Sequence, residues 1–203
     1  MWQGKEASNQ LFLNIKHGLS PESVAICIAQ VGFNLRSLCA MFGIVIIIAV
    51  FEVGILELIE TPEEKITITI ATVLNMLVLA PIVEEIIFRV LLFNFLQKYF
   101  SILISAILAS VFFALCHYGV LGAAVFGFYM ITVFLITRNL MTLIVLHSLN
   151  NLVALIFILL PPVHEMVELC LFMVIAVALI VFGWRDLVEL IKSVWYKKSM
   201  TNH

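Results

Sequence analysis

The sequence predicts an all-α protein: a polytopic transmembrane helical bundle of about six spans, with interfacial helices at both termini. Three observations carry that prediction. The 203 residues are 64% hydrophobic and only 12% charged, where water-soluble chains run nearer half apolar and a quarter charged. Their mean hydropathy is +1.18. The apolar residues also fall into runs close to the length a bilayer demands, about 20 residues each.

Taken in order, residues 1–37 are mixed, with Lys5, Lys16 and Arg36. Leu11, Phe12, Ile15 and Leu19 suit a surface-lying cytoplasmic or interfacial segment better than a span. The basic-then-apolar layout and small-residue cleavage site of a signal peptide are absent from it. Residues 38–184 form the transmembrane domain, with apolar runs at 38–59, 66–83, 102–116, 120–137, 140–160 and 167–184. The second run keeps helical apolar spacing past Glu84 and Glu85 to Gln97, with a kink expected at Pro81. Only His117, Tyr118 and Gly119 separate the third run from the fourth, which predicts a glycine-assisted hairpin between Gly119 and Gly122. Residues 185–203, with Arg185, Lys192, Trp195, Tyr196, Lys197 and Lys198, read as a cytoplasmic interfacial tail facing anionic headgroups. Neither an internal repeat nor a separate soluble domain is visible.

Charge sets the expected orientation. Six spans from a cytoplasmic N-terminus leave Lys65 alone outside among the 11 Lys and Arg residues. The outer connections carry Glu60, Glu63, Glu64 and Glu165 instead. That asymmetry predicts a multi-pass cell-membrane protein with both termini in the cytoplasm. The net charge of −2 excludes a basic nucleic-acid footprint, so the expected surroundings are a lipid bilayer and no nucleic acid. Nine Gly and five Pro exclude collagen-like and low-complexity chains. Cys27, Cys39, Cys116 and Cys170 have neither CxxC pairing nor paired-ligand spacing, so no disulfide framework or thiolate zinc site is expected. No cofactor and no metal are expected.

Ionisable residues inside spans are costly and mark candidate sites. Here they are Glu52, the Glu84–Glu85 pair, Arg89, His117, and His147 with Asn151. Glu52 has a simple reading, either protonated or reaching the outer surface. Glu85 and Arg89 stand i,i+4 and predict an internal ion pair. Glu84 lies about 100° further round the same helix and points elsewhere. The turn between Gln97 and Ile102 puts Glu84 and His117 level across a helical hairpin to within a turn. His147 and Asn151 share a face four residues apart, so an imidazole and an amide can aim at one point. A carboxylate opposite a histidine, with a facing pair of donors, is the minimum kit for peptide hydrolysis: a base activates water and donors hold the oxyanion. Cys116 beside His117 makes no thiol dyad, because adjacent helical residues diverge.

The same residues spell three ordered motifs. Glu84–Glu85 to Arg89 reads EExxxR after Ala80–Pro81, Phe113 to His117 reads FxxxH, and His147 to Asn151 reads HxxxN. In this order and spacing they resemble the CPBP family of intramembrane endopeptidases, over roughly 66–160. That family takes in CAAX prenyl proteases of the Rce1 type and bacterial bacteriocin-processing or immunity (Abi) proteins. The resemblance implies a glutamic peptidase in which Glu84 is the general base and His117 holds and polarises the water. His147 and Asn151 would form the oxyanion hole, while Glu85 and Arg89 shape the site. Asn150 stands beside Asn151, and the HxxxN spacing selects Asn151. The family's CAAX proteases have more spans than six, which implies a reduced N-terminal half here.

The implied substrate is a peptide or a lipidated protein at the membrane, with bacteriocin immunity or peptide maturation in a bacterial host as the biology. Three other readings stand beside it. Glu84, His117 and His147 could serve as zinc ligands of a membrane metalloprotease, although no HExxH is present. The fold could act as a catalytically silent immunity factor or scaffold. A secondary transporter would need paired repeats with broken helices, which the sequence lacks. Substrate identity and oligomeric state are not set by the sequence.

Overall fold

The structure, a computed structural model, describes residues 21–57, 68–159 and 165–196. These residues form six helices and no strand: α1 (Pro21–Glu57), α2 (70–96), α3 (Ile102–Ala114), α4 (Val120–Thr137), α5 (Leu140–Leu159) and α6 (Glu165–Ile191). A wider π-type turn, Lys192–Tyr196, extends α6. Four of the helices carry stretches long and apolar enough to cross a membrane: Val24–Glu52, Val120–Thr137, Leu140–Leu159 and Cys170–Trp195. The helix α3 is apolar but shorter.

The surface is that of a protein solvated by lipid. Phe33, Phe51, Ile70 and Val181 are about as exposed as side chains become on a helix, at 73%, 68%, 82% and 74%. Meanwhile Asn34, Ser37, Glu85, Arg89, Thr132, Thr142 and His147 are buried. Apolar outside and polar inside is the arrangement a bilayer selects, because a polar group facing hydrocarbon has nothing to bond. The all-α membrane bundle read from the sequence is therefore what the chain forms.

Two helix ends differ from expectation for one physical reason. The first apolar run begins at residue 38, yet α1 is already helical at Pro21. Gln30, Asn34 and Arg36 interrupt the apolar pattern, but each finds a partner, Asn34 through its Nδ2, which donates to the Gln30 carbonyl at 2.7 Å. Thr142 Oγ1 donates to Gln30 Oε1 at 2.7 Å, and the Tyr129 hydroxyl lies 3.0 Å from Ser37 Oγ. Arg36 sits 3.7 Å from Asp186 on α6. The last apolar run ends at Trp184, but α6 continues without a break to Ile191, past Arg185 and Asp186. Trp195 then turns inward, its indole N–H donating to Thr132 Oγ1 at 3.1 Å while its ring stacks on Phe128. The expected surface helix around Leu11–Leu19 lies outside the described residues.

Packing follows the small residues. The helix α1 lies along α6 and also touches α4 and α5. A Cβ on Gly43 would collide with the Ala176 carbonyl oxygen, and one on Gly183 with the Arg36 carbonyl oxygen. The two backbones thus approach as closely as glycine permits. In the α3–α4 hairpin, Ala106, Ala109 and Ser110 are buried, and a Cβ on Gly127 would stand 3.3 Å from Ser110 Cα. The turn between these helices spans residues 115–119, with Gly119 at the cap of α4 and Gly122 already inside the helix.

The helix α2 bridges α3 and α5 and is not uniformly wound. Thr69 opens it with a reciprocal capping box to Thr72. Asn75–Leu79 and Ile86–Phe93 are π-wound, and the α-wound turn between them, Ala80–Glu85, holds Pro81 and both glutamates. The expected kink at Pro81 takes this form: a proline lacks the N–H for the preceding turn and its ring crowds the carbonyl four residues back. A wider turn just before it relieves the crowding.

Candidate active site

The glutamates of Ala80–Glu85 point in different directions, as their spacing requires. Glu85 is wholly buried. Its Oε1 accepts a 2.7 Å hydrogen bond from His147 Nδ1 on α5. Its Oε2 stands 3.1 Å from Arg89 Nε one turn on, as an ion contact rather than an aligned hydrogen bond. Arg89 is equally buried, and its guanidinium carbon lies 4.6 Å over the Phe113 ring. Cation, carboxylate and ring thus compensate one another in a place where an unpaired charge would cost several kcal/mol, on the order of 3–5.

Glu84 faces the hairpin and keeps about a quarter of its side chain exposed. Its Oε2 lies 3.6 Å from His117 Nε2 and 3.7 Å from His147 Nε2. Both separations exceed hydrogen-bond length. The two imidazoles are oriented from behind. His117 Nδ1 meets the Phe113 carbonyl at 2.8 Å, and His147 Nδ1 meets Glu85. Each Nδ1–H donates backward, which turns each Nε2 toward the same carboxylate oxygen. Phe113 does more than begin the FxxxH motif: its carbonyl fixes His117, and its ring packs 4.3 Å from that imidazole. The Phe126 ring on α4 lies edge-on to His147 at 5.2 Å. That residue went unnoticed in the sequence, because nothing distinguishes it from the other apolar positions of α4.

Asn151 reaches α2 rather than open space. Its Nδ2 donates to the Met76 carbonyl at 2.8 Å, and its Oδ1 accepts from Asn150 Nδ2 at 3.3 Å. One Nδ2 hydrogen is thus engaged within the fold, and one remains. Five residues expected at the site, Glu84, Glu85, Arg89, His117 and His147, are joined by these contacts where α2, α3 and α5 meet, while Asn151, one turn beyond His147 on α5, is held to Met76. Glu52 does not join them, and it contacts the start of α4 instead. Cys116 turns away to the Phe112 carbonyl. Among the described residues, no three His, Cys, Asp or Glu side chains are disposed to hold a metal ion.

Fold and geometry together place a carboxylate beside two oriented imidazoles inside an apolar-surfaced helical bundle. The family model described as Type II CAAX prenyl endopeptidase Rce1-like matches residues 66–153, which include all three motifs. That stretch is thus an Rce1-like, CPBP-family region, as the motifs imply, and the match supports CAAX-type endopeptidase activity at the membrane in general. No curated protein and no solved structure matched the chain.

Proposed function

We propose that the protein is an intramembrane glutamic endopeptidase that hydrolyses a peptide bond in a lipidated or membrane-associated substrate. The observation that carries this reading is the position of Glu84 Oε2 between His117 Nε2 and His147 Nε2, at 3.6 and 3.7 Å. A water molecule held against Glu84 and His117 Nε2 loses a proton to the Glu84 carboxylate as its oxygen bonds to the scissile carbonyl carbon. The carbonyl oxygen becomes an oxyanion, which the remaining Asn151 N–H stabilises, joined by His147 once its Nε2 has received the proton from Glu84. The proton taken by Glu84 passes to the departing amine, directly or through the neighbouring His147 Nε2, as the C–N bond breaks. Glu85 and Arg89 stay intact throughout, holding His147 and the α2–α3 contact.

In this reading the protein is a multi-pass cell-membrane protein with cytoplasmic termini, supported by the Lys and Arg asymmetry. Bacteriocin immunity or peptide maturation is the biology proposed for it. The test is incubation of the purified protein with a pool of prenylated and unmodified peptides, followed by mass spectrometry. Wild type should generate a defined cleavage product that Glu84→Gln does not. A silent immunity or scaffold protein would give no product from either, and would keep its protective function in Glu84→Gln.

A further inference from the structure

The start of α4 is fastened by a residue of another helix. The leading N–H groups of a helix have no partner within it. In α4 the cap position is Gly119, which has no side chain to offer. Val120 N–H donates to the Tyr118 carbonyl at 3.1 Å and Ala123 N–H to the Gly119 carbonyl at 2.8 Å. The two between them are taken by Glu52. Leu121 N–H donates to its Oε1 at 2.7 Å, and Gly122 N–H to its Oε2 at 3.5 Å. A Cβ on Gly119 would stand 3.4 Å from Glu52 Oε2, so the carboxylate lies directly against the cap residue. The positive end of α4 suits a negative charge. Glu52 belongs to α1, outside the residues that match the family.

His117 lies two residues ahead of that cap. It sits on a short loop whose other side is fixed by tight turns at the end of α3, with Cys116 N–H on the Phe113 carbonyl and His117 N–H on the Ala114 carbonyl. The loop therefore has two anchors: α3, and the start of α4 as held by Glu52. A displacement of about 1 Å in a catalytic group can cost roughly 100-fold in rate.

We propose that Glu52 is a positioning residue of the peptidase site: by capping α4 from α1, it sets the Tyr118–Gly119 segment and thereby places the His117 imidazole against Glu84. The inference rests on the glutamic-peptidase reading of Glu84 and His117. Glu52 touches no reacting atom and acts through the loop.

The test uses the full chain in detergent or liposomes, with Glu84→Gln assayed alongside. Glu52→Ala should lower kcat by about tenfold or more while KM changes little, the pattern of a mispositioned catalytic group. It should also shift the ring-nitrogen resonances of His117. Adding Gly119→Ser gives α4 a local cap of the preferred kind, and should restore both the resonances and most of the turnover. If Glu52→Ala does not fold, Glu52→Gln, which keeps one acceptor oxygen, should show a smaller loss and the same rescue. A folded Glu52→Ala with wild-type kcat and unshifted His117 resonances overturns the inference. So does a rescue by Gly119→Ser of thermal stability alone. If Glu84→Gln itself retains full cleavage, it is the glutamic-peptidase reading that fails.

Discussion

Asn151 on α5 donates its amide N–H to the Met76 carbonyl on α2, at 2.8 Å. The π winding ahead of Pro81 explains why that carbonyl needs a partner. Ala80 N–H, which would reach Met76 in an α-helix, is given to Asn75 instead. In the wider register the N–H falling to Met76 would come from residue 81, which is a proline and has none. Asn151 supplies the missing donor, and the same contact ties α5 to α2 one turn beyond His147. The HxxxN asparagine and the proline ahead of EExxxR are thus two parts of one device.

A double-substitution experiment can separate the structural and chemical work of Asn151. Asn151→Ala should lower turnover by about 100- to 1,000-fold, the usual loss for one oxyanion donor. It should also lower stability by about 1–3 kcal/mol, because the Met76 carbonyl loses its partner. Pro81→Ala in that background returns a backbone N–H to the turn, so the unfolding temperature should recover while turnover does not. Asn150→Ala should be mild in both assays. Simultaneous recovery of turnover would show that Asn151 acts only as a strut.

The Glu85–Arg89 pair predicts a different signature. Arg89→Met leaves a buried carboxylate facing only His147, and should destabilise the protein by about 3–5 kcal/mol. Arg89→Lys should rescue little of this, because an ammonium lacks the planar face that lies over Phe113. Unfolding midpoints in detergent measure both variants.

Most of the candidate site was legible in the sequence because its geometry is local to one hairpin and one helix face. Equal distance from the turn after Gln97 placed Glu84 opposite His117, and i,i+4 spacing paired Glu85 with Arg89. The limits of α4 also followed from apolar length, because Gly119 and Arg138 bound it on either side. What could not be read depends on contacts between distant segments. Gln30 and Asn34 resemble surface residues until α4 and α5 are packed against them, so the apolar pattern alone does not reveal the first turns of α1. Glu52 meets Leu121 only through the tertiary fold. The donation from Asn151 to Met76 follows from a winding change that no apolar period records.

Helix approach gives a prediction remote from the chemistry. Gly183→Ala should separate α1 from α6, since the new methyl group would overlap the Arg36 carbonyl oxygen, and thermal stability should drop. Gly32→Ala on the same α1 meets nothing within 4 Å. It should be neutral or raise stability slightly, by about 0.5–1 kcal/mol, from helix propensity alone. Equal effects of the two substitutions would contradict the packing.

Topology is tested by single cysteines placed near Lys5 and beyond Lys197 in a background lacking the native four. Labelling by a membrane-impermeant reagent should require broken cells at both ends. Labelling of either end in intact cells would contradict the orientation argued from Lys and Arg.

The central claim is that Glu84 activates water without a metal ion, and paired turnover and binding measurements on one chelated preparation address it most directly. After exhaustive chelation the wild-type protein should cleave its peptide at an undiminished rate and contain well under one zinc per chain. Glu84→Gln should bind the same peptide with unchanged affinity and show no cleavage above background. Stoichiometric zinc whose removal abolishes wild-type cleavage, or cleavage that survives Glu84→Gln, would contradict the account.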